Sequence, residues 1–143
     1  MLLAAGAGSR YEGTGHKLSA EIIEPGTGRA GTVIERALVS ALASEVGPVV
    51  VVTGAVPDVV PDSLVGAVTA CHNPRWADGQ ITSVHAGIEA ARSLGATAVV
   101  VGLADQPFVD PSAWRAVADA PGPIVVATYD GRRANPVKLD AEV

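Results

Sequence analysis

Aromatic side chains are scarce in this chain: two Trp, two Tyr and one Phe among 143 residues. A core must therefore be filled by Val, Ile, Leu and Ala, a palette suited to parallel strands covered on both faces by helices. Cysteine is scarcer still. Cys71 stands alone, which excludes an internal disulfide framework and fits a reducing compartment. Basic charge is also in deficit: ten Lys and Arg against fifteen Asp and Glu give a net charge of −5. That balance excludes the basic face of a general nucleic-acid binder, so an anionic ligand must be caught by a few local cations. No apolar run approaches membrane-spanning length, and no charged-then-apolar leader precedes the first motif. The expectation is a cytoplasmic protein that engages neither membrane nor nucleic acid.

What is present is apolar and punctuated. Hydrophobic residues make up 48% and charged ones 17%, the balance of a globular chain, and the length fits one domain over residues 1–143. Short β-rich runs predict strands at Leu2 to Ala5, Pro48 to Thr53, Val65 to Cys71, Ala96 to Ala104 and Pro123 to Thr128. Helical spacing between them puts Val33, Ile34, Ala37, Leu38, Ala41 and Leu42 on one face, and Ile81, Val84, Ile88, Ala91 and Leu94 on another. A shorter helix is predicted from Pro111, a favoured first-turn residue. Strand and helix in alternation mean an α/β fold: a three-layer α/β/α arrangement around a mostly parallel sheet. "EPGTGRAGT" (Glu24 to Thr32) reads as the most flexible connection.

Four stretches carry residues suited to chemistry. "LLAAGAGSR" ends a strand in glycines, where ligands of open α/β sheets bind. Glycines there either permit a tight turn or let amide N–H groups point at phosphate oxygens, with Arg10 and Lys17 adding positive charge. The stretch lacks the GK[ST] of a P-loop and the spacing of the dinucleotide fingerprint. "VVVGLADQPFVDP" places Asp105 at the carboxyl tip of a Val-rich strand, fit either for a turn or for a Mg²⁺ ion bridging protein and phosphate. Asp110, directly before Pro111, is the better helix cap, which frees Asp105. "NPRWADGQITS" offers Asn73, Gly79 and Ser83 as hydrogen-bonding partners for a base and ribose, with Trp76 as a lid over the core. "DGRRANPVKL" holds Arg132 and Arg133, read as a solvated loop, and Asn135, which starts a strand and can face the site. His16, His72 and His85 have no metal-ligand spacing and read as solvated or capping groups, and Cys71 reads as core.

In order and across nearly the whole chain, "LAAGAGSR…K", "NPRWADGQITS", "LADQP" and "RRANP" resemble the motifs of the nucleotidyltransferase family that includes the molybdenum cofactor cytidylyltransferases. The resemblance implies a Rossmann-like sheet of the nucleotide-diphospho-sugar transferase type. It implies that the backbone of Leu3, Ala4, Ala5, Gly6 and Gly8 cradles base and triphosphate. Arg10 and Lys17 would neutralise the β- and γ-phosphates, Asp105 would hold Mg²⁺, and Asn73, Gly79, Ser83 and Asn135 would serve the nucleotide. The implied reaction is transfer of CMP from CTP to the phosphate of a molybdopterin-type acceptor with release of pyrophosphate. A molybdoenzyme or cofactor-insertion partner goes with that role. The "LAAG" opening favours the cytidylyl branch over a guanylyl one; the alternatives are a guanylyl- or other cytidylyltransferase of the same fold, or a truncated non-catalytic nucleotide-binding module. Four departures stand out. The Arg10–Lys17 spacer is two residues longer than the common form. Ala104 and Ala134 replace glycines, and typical members continue past position 143, so the chain reads as C-terminally truncated.

Overall fold

The architecture follows from short central strands buried on both faces; the computed structural model describes residues 1–142. In chain order the elements are β1 (Leu2–Ala4), β2 (Glu21–Ile23), β3 (Ala30–Thr32), α1 (Val33–Ala43), β4 (Val50–Thr53) and β5 (Thr69–His72). There follow α2 (Gln80–Ser93), β6 (Ala98–Leu103), α3 (Pro111–Asp119), β7 (Ile124–Tyr129) and β8 (Arg132–Asp140). Six strands form one sheet in the order β5-β4-β1-β6-β8-β7, while β2 and β3 form a separate hairpin. β1 pairs in parallel with β4 and β6, and β4 with β5; β8 alone runs antiparallel, wedged between β6 and β7. This is the expected α/β fold with a mostly parallel sheet.

Period-two alternation sends successive side chains to opposite layers. Leu2, Ala4, Val49, Val51 and Val100 pack with α1 and α3, among them Ile34, Leu38, Trp114 and Val117. Leu3, Val50, Val52 and Val101 face the other way, against Val84, Ala86 and Ala90 of α2. Trp114 satisfies its indole N–H on Ser40 Oγ at 3.1 Å, and that hydroxyl donates onward to the Val109 carbonyl. Lys138, buried in β8, donates to the Ala120 carbonyl at 2.6 Å, beyond the end of α3.

α1 starts where a capping box forms: Glu35 N–H donates to Thr32 Oγ1 and Thr32 N–H donates to the Glu35 carboxylate, each at 3.2 Å. Thr32→Ala is expected to cost about 1 kcal/mol of stability, readable as a lowered midpoint in urea with an unchanged slope. The Met1 amine donates to the Val100 carbonyl at 2.6 Å, and burial pushes its pKa down to about 5. In a chain whose first residue is Met1, the unfolded amine, titrating near 8, binds a proton that the folded one refuses between these values. Stability should therefore rise as pH climbs from 5 to 8, an outcome that denaturant midpoints at the two ends would check.

Four expectations need correcting. The segment Glu24 to Thr32 is no loose connection, because Ala30–Thr32 pairs with Glu21–Ile23 and Glu24 N–H donates to the Arg29 carbonyl at 2.9 Å. Glycine-rich composition hides that strand, whose backbone bonds come from its neighbour. The strand predicted from Val65 begins only at Thr69, since residues 62–67 wind into a 3₁₀ turn. The helix face predicted through Ile81, Val84, Ile88, Ala91 and Leu94 holds in the middle and fails at its ends: Ala91 is buried and Val84 packs on the sheet, but Ile81 and Leu94 are exposed, and Ser83 and Gly87 are buried beside that face. Small residues there let α2 lie close to the sheet, as a Cβ on Gly87 would meet Val52 Cγ2 at 2.8 Å. Last, the strand predicted to start at Asn135 starts at Arg132 and runs to Asp140, so Arg132 and Arg133 lie in a strand and not in a loop, although both are exposed.

Candidate functional site

Parallel pairing brings the carboxyl ends of β1, β4, β5 and β6 to one edge of the sheet. A cleft of about 620 Å³ opens there. Its floor and one wall are the backbone from Leu3 to Arg10, its other walls Lys17 with His16, Trp76 with Gln80 and Ser83, and Asp105 after β6. Of the residues singled out in the sequence, Leu3, Ala4, Ala5, Gly6, Gly8, Arg10, Lys17, Ser83 and Asp105 are thus brought together around one space.

Local chemistry explains the loop. After Ala4 the backbone leaves the ladder, and Ala5 still anchors it by accepting from Ala55 N–H at 3.1 Å. Gly8 turns with φ +64, and a Cβ there would sit 3.3 Å from both His16 Nε2 and Lys17 Cβ. Gly54, just past β4, is needed for close approach. A Cβ on it would meet the Ala5 carbonyl oxygen at 2.6 Å, Trp76 Cβ at 2.6 Å and Ala5 Cβ at 2.8 Å. Backbone oxygen cannot yield as a side-chain end can, so Gly54→Ala is expected to cost about 1–3 kcal/mol. It should also displace Trp76, which shares the chain's indole emission only with the buried Trp114. A shift in that emission, beside a lowered thermal midpoint, would check it.

Lys17 Nζ and Asp105 Oδ2 lie 2.6 Å apart, both partly exposed. None of the ion pairs among the described residues involves Arg10, which is exposed on the loop. The cleft therefore holds one unpaired cation, one cation whose carboxylate partner can be exchanged, and a row of backbone groups. Such a set suits a polyanion. No cluster of three or more His, Cys, Asp or Glu that could hold a metal occurs among the described residues. A lone carboxylate is nevertheless a fitting ligand for Mg²⁺, which takes one or two protein carboxylates and fills the rest of its shell from phosphate and water. Asp110 is occupied elsewhere: it caps α3 by accepting from Ser112 N–H at 2.8 Å, and the Ser112 hydrogen bonds hold its carboxyl below the usual value.

Other residues singled out in the sequence stand apart from the cleft. Asn73 is buried and fully committed, donating to Thr82 Oγ1 at 2.8 Å and Ser83 Oγ at 2.9 Å and accepting from Arg75 N–H at 2.9 Å. It ties the end of β5 to the start of α2 and orients Ser83. Gly79, with φ 115, precedes α2 and is not among the lining residues; its carbonyl accepts from Thr82 Oγ1 at 2.8 Å. Asn135 is half-buried inside β8, away from the lining, and its carbonyl accepts from Tyr129 OH at 3.1 Å. The structure adds His16, Tyr11 and Gln80 to the walls, and makes Trp76 a wall of the cleft as well as a cover. Of these, the sequence marks Trp76 as a lid and His16 as a solvated or capping group, and His16 does cap the Lys17–Ser19 turn. His16 sits where it does because a loop carbonyl and a turn N–H converge on its ring, a coincidence in space.

A family model described as a MobA-like NTP transferase domain matches residues 1–143. Among solved structures, a nucleotidyl transferase from Methanothermobacter thermautotroptrophicus is similar at 26% identity with a TM-score of 0.74. The likeness covers 99% of this chain and 70% of that one. No curated protein matches. No helix among the described residues is long and apolar enough to cross a membrane.

Proposed function

The chain belongs to the family of MobA-like NTP transferase domains, and from that premise we propose that it moves CMP from CTP to the phosphate of a molybdopterin-type acceptor. One observation carries the reading: the glycine loop, Arg10, Lys17 and Asp105 meet around a single cleft at the carboxyl edge of the parallel strands. The cleft's volume of about 620 Å³ falls in the range of small-molecule sites.

In this reading an acceptor phosphate oxygen attacks the α-phosphorus. A new P–O bond forms, the α–β bridge breaks, and pyrophosphate leaves with the bonding pair. An anionic phosphate is already a nucleophile, so no side chain has to remove a proton. The chain's work is positioning and charge neutralisation. Amide groups of the loop from Gly6 to Gly8 cradle phosphate oxygens, and Arg10 draws in the β- and γ-phosphates. Lys17 exchanges its carboxylate partner for the departing pyrophosphate. Asp105, released by that exchange, would hold Mg²⁺. Bound there, the cation would supply neutralisation of phosphate charge. Ser83, oriented by Asn73, serves the nucleoside end, with Trp76 beside it.

Calorimetric titration with CTP, GTP and ATP, each with and without Mg²⁺, tests the reading. Selective, Mg²⁺-dependent binding of CTP is expected. A preference for GTP would move the chain to the guanylyl branch. Binding of no nucleotide would overturn the reading and leave the loop a glycine-rich turn.

A further inference from the structure

His16 joins two parts of the cleft, the glycine loop and the Lys17 turn, that the exposed stretch between residues 9 and 15 connects along the chain. Its Nδ1 accepts from Leu18 N–H at 3.3 Å, capping the short 3₁₀ turn Lys17–Ser19. Its Nε2 lies 3.0 Å from the Gly6 carbonyl oxygen, across ten residues of chain. One tautomer satisfies both contacts: with Nδ1 bare to accept, Nε2 carries the hydrogen and donates. A helix cap needs only the first of these bonds. The second acts on the glycine loop.

Gly6 and Ala7 are exposed, and nothing stands within 4 Å of where a Cβ on Gly6 would be, so no neighbour packs against the Cα on that side. A free glycine peptide can rotate between orientations, and ordering it costs entropy when a ligand binds. Because the carbonyl and N–H of a trans peptide point in opposite directions, fixing the Gly6 carbonyl also fixes the Ala7 N–H. We propose that His16 is a positioning residue, which locks the Gly6–Ala7 peptide to the Lys17 turn so that loop amide and lysine meet a nucleotide's phosphates in one preset geometry. This rests on the reading of the cleft as a nucleoside triphosphate site. His16 itself transfers no proton and touches no reacting atom. It lowers the ordering cost of the cradle, the usual source of affinity from preorganisation.

Three substitutions separate the two bonds. His16→Ala removes both. In His16→Asn the amide oxygen stands where Nδ1 was and preserves the cap on Leu18, without reaching Gly6. In His16→Gln the longer amide stands where Nε2 was and can still donate to Gly6. The probes are Mg²⁺ with CTP, GTP or ATP, whichever the unaltered chain binds most tightly, and the matching nucleoside without phosphates. Triphosphate affinity is expected to fall roughly three- to tenfold in His16→Ala and His16→Asn, the scale of one net hydrogen bond, and to recover in His16→Gln. Nucleoside affinity should hold in all three, and His16→Asn should keep a thermal midpoint near that of the unaltered chain. Unchanged triphosphate affinity in His16→Ala, equal loss in the Asn and Gln variants, or equal loss for nucleoside and triphosphate would overturn the assignment alone. Failure of the unaltered chain to bind any triphosphate would overturn both it and the proposed function.

Discussion

Asp105→Asn is expected to abolish the Mg²⁺ dependence of triphosphate binding and to lower nucleotidyl transfer by two orders of magnitude or more, while the fold stands. The two halves of that expectation have separate physical grounds. An amide oxygen is a much weaker ligand for a hard cation than a carboxylate, and the substitution removes the negative charge that would hold a Mg²⁺ ion at Asp105. Charge stabilisation lost at a single such position commonly costs about 10²–10³ in rate. Stability is another matter. Among the described residues the only ion pair of Asp105 is with Lys17, and the side chains are 36% and 43% exposed. Pairs so open to solvent are worth about 0–1 kcal/mol, screened further by salt. Loss of the pair therefore lowers the melting temperature slightly or not at all. Titration of the variant with CTP, with and without Mg²⁺, beside a melting curve, reads both. Mg²⁺-dependent binding that persists in Asp105→Asn would remove Asp105 from the metal site.

The layers were legible because they depend on local pattern. Continuous apolar strands such as Val99 to Val101, and the 3.6-residue stripe of Val33, Ile34, Ala37, Leu38 and Ala41, carry their burial in the spacing itself. The cleft was legible for a related reason. In a parallel sheet the residues just after each strand share one edge, so "GAGSR" and "LADQP" had to face one another once their strands were recognised. Elsewhere the determining contact was distant in sequence. β8 is a strand because β6 and β7 flank it and pair with it on both sides, and nothing in "GRRANPVKL" taken alone announces two partners. The buried face of α2 was misread at its ends because hydrophobicity counts Ile81 above Gly87, whereas close packing on Met1 and Val52 selects the residue with no side chain. Asn73 was read as a nucleotide contact on its polarity. Its partners, Thr82, Ser83 and the Arg75 amide, are all local, and they use its donors and acceptor for structure.

Arg10→Ala is expected to separate triphosphate from monophosphate. Arg10 is exposed, and no ion pair among the described residues uses it. Removing it therefore strands no buried partner and should leave the melting temperature unchanged. What it takes away is the cation that no carboxylate already neutralises, in a chain whose net charge of −5 repels polyanions at long range. Charge-assisted hydrogen bonds contribute about 1.5–3 kcal/mol, so CTP affinity should fall roughly ten- to a hundredfold. CMP, with no β- or γ-phosphate to reach the guanidinium, should lose less than about threefold by the same arithmetic. Salt gives an independent reading, because an exposed cation acts through a screened field. Affinity of the unaltered chain for CTP should weaken as ionic strength rises from 0.01 to 0.15 M, over which the Debye length shrinks from about 30 to about 8 Å. The variant's salt dependence should be shallower. If CTP and CMP lose affinity equally, Arg10 shapes the loop and does not meet the outer phosphates, and Lys17 alone is left to face the departing pyrophosphate.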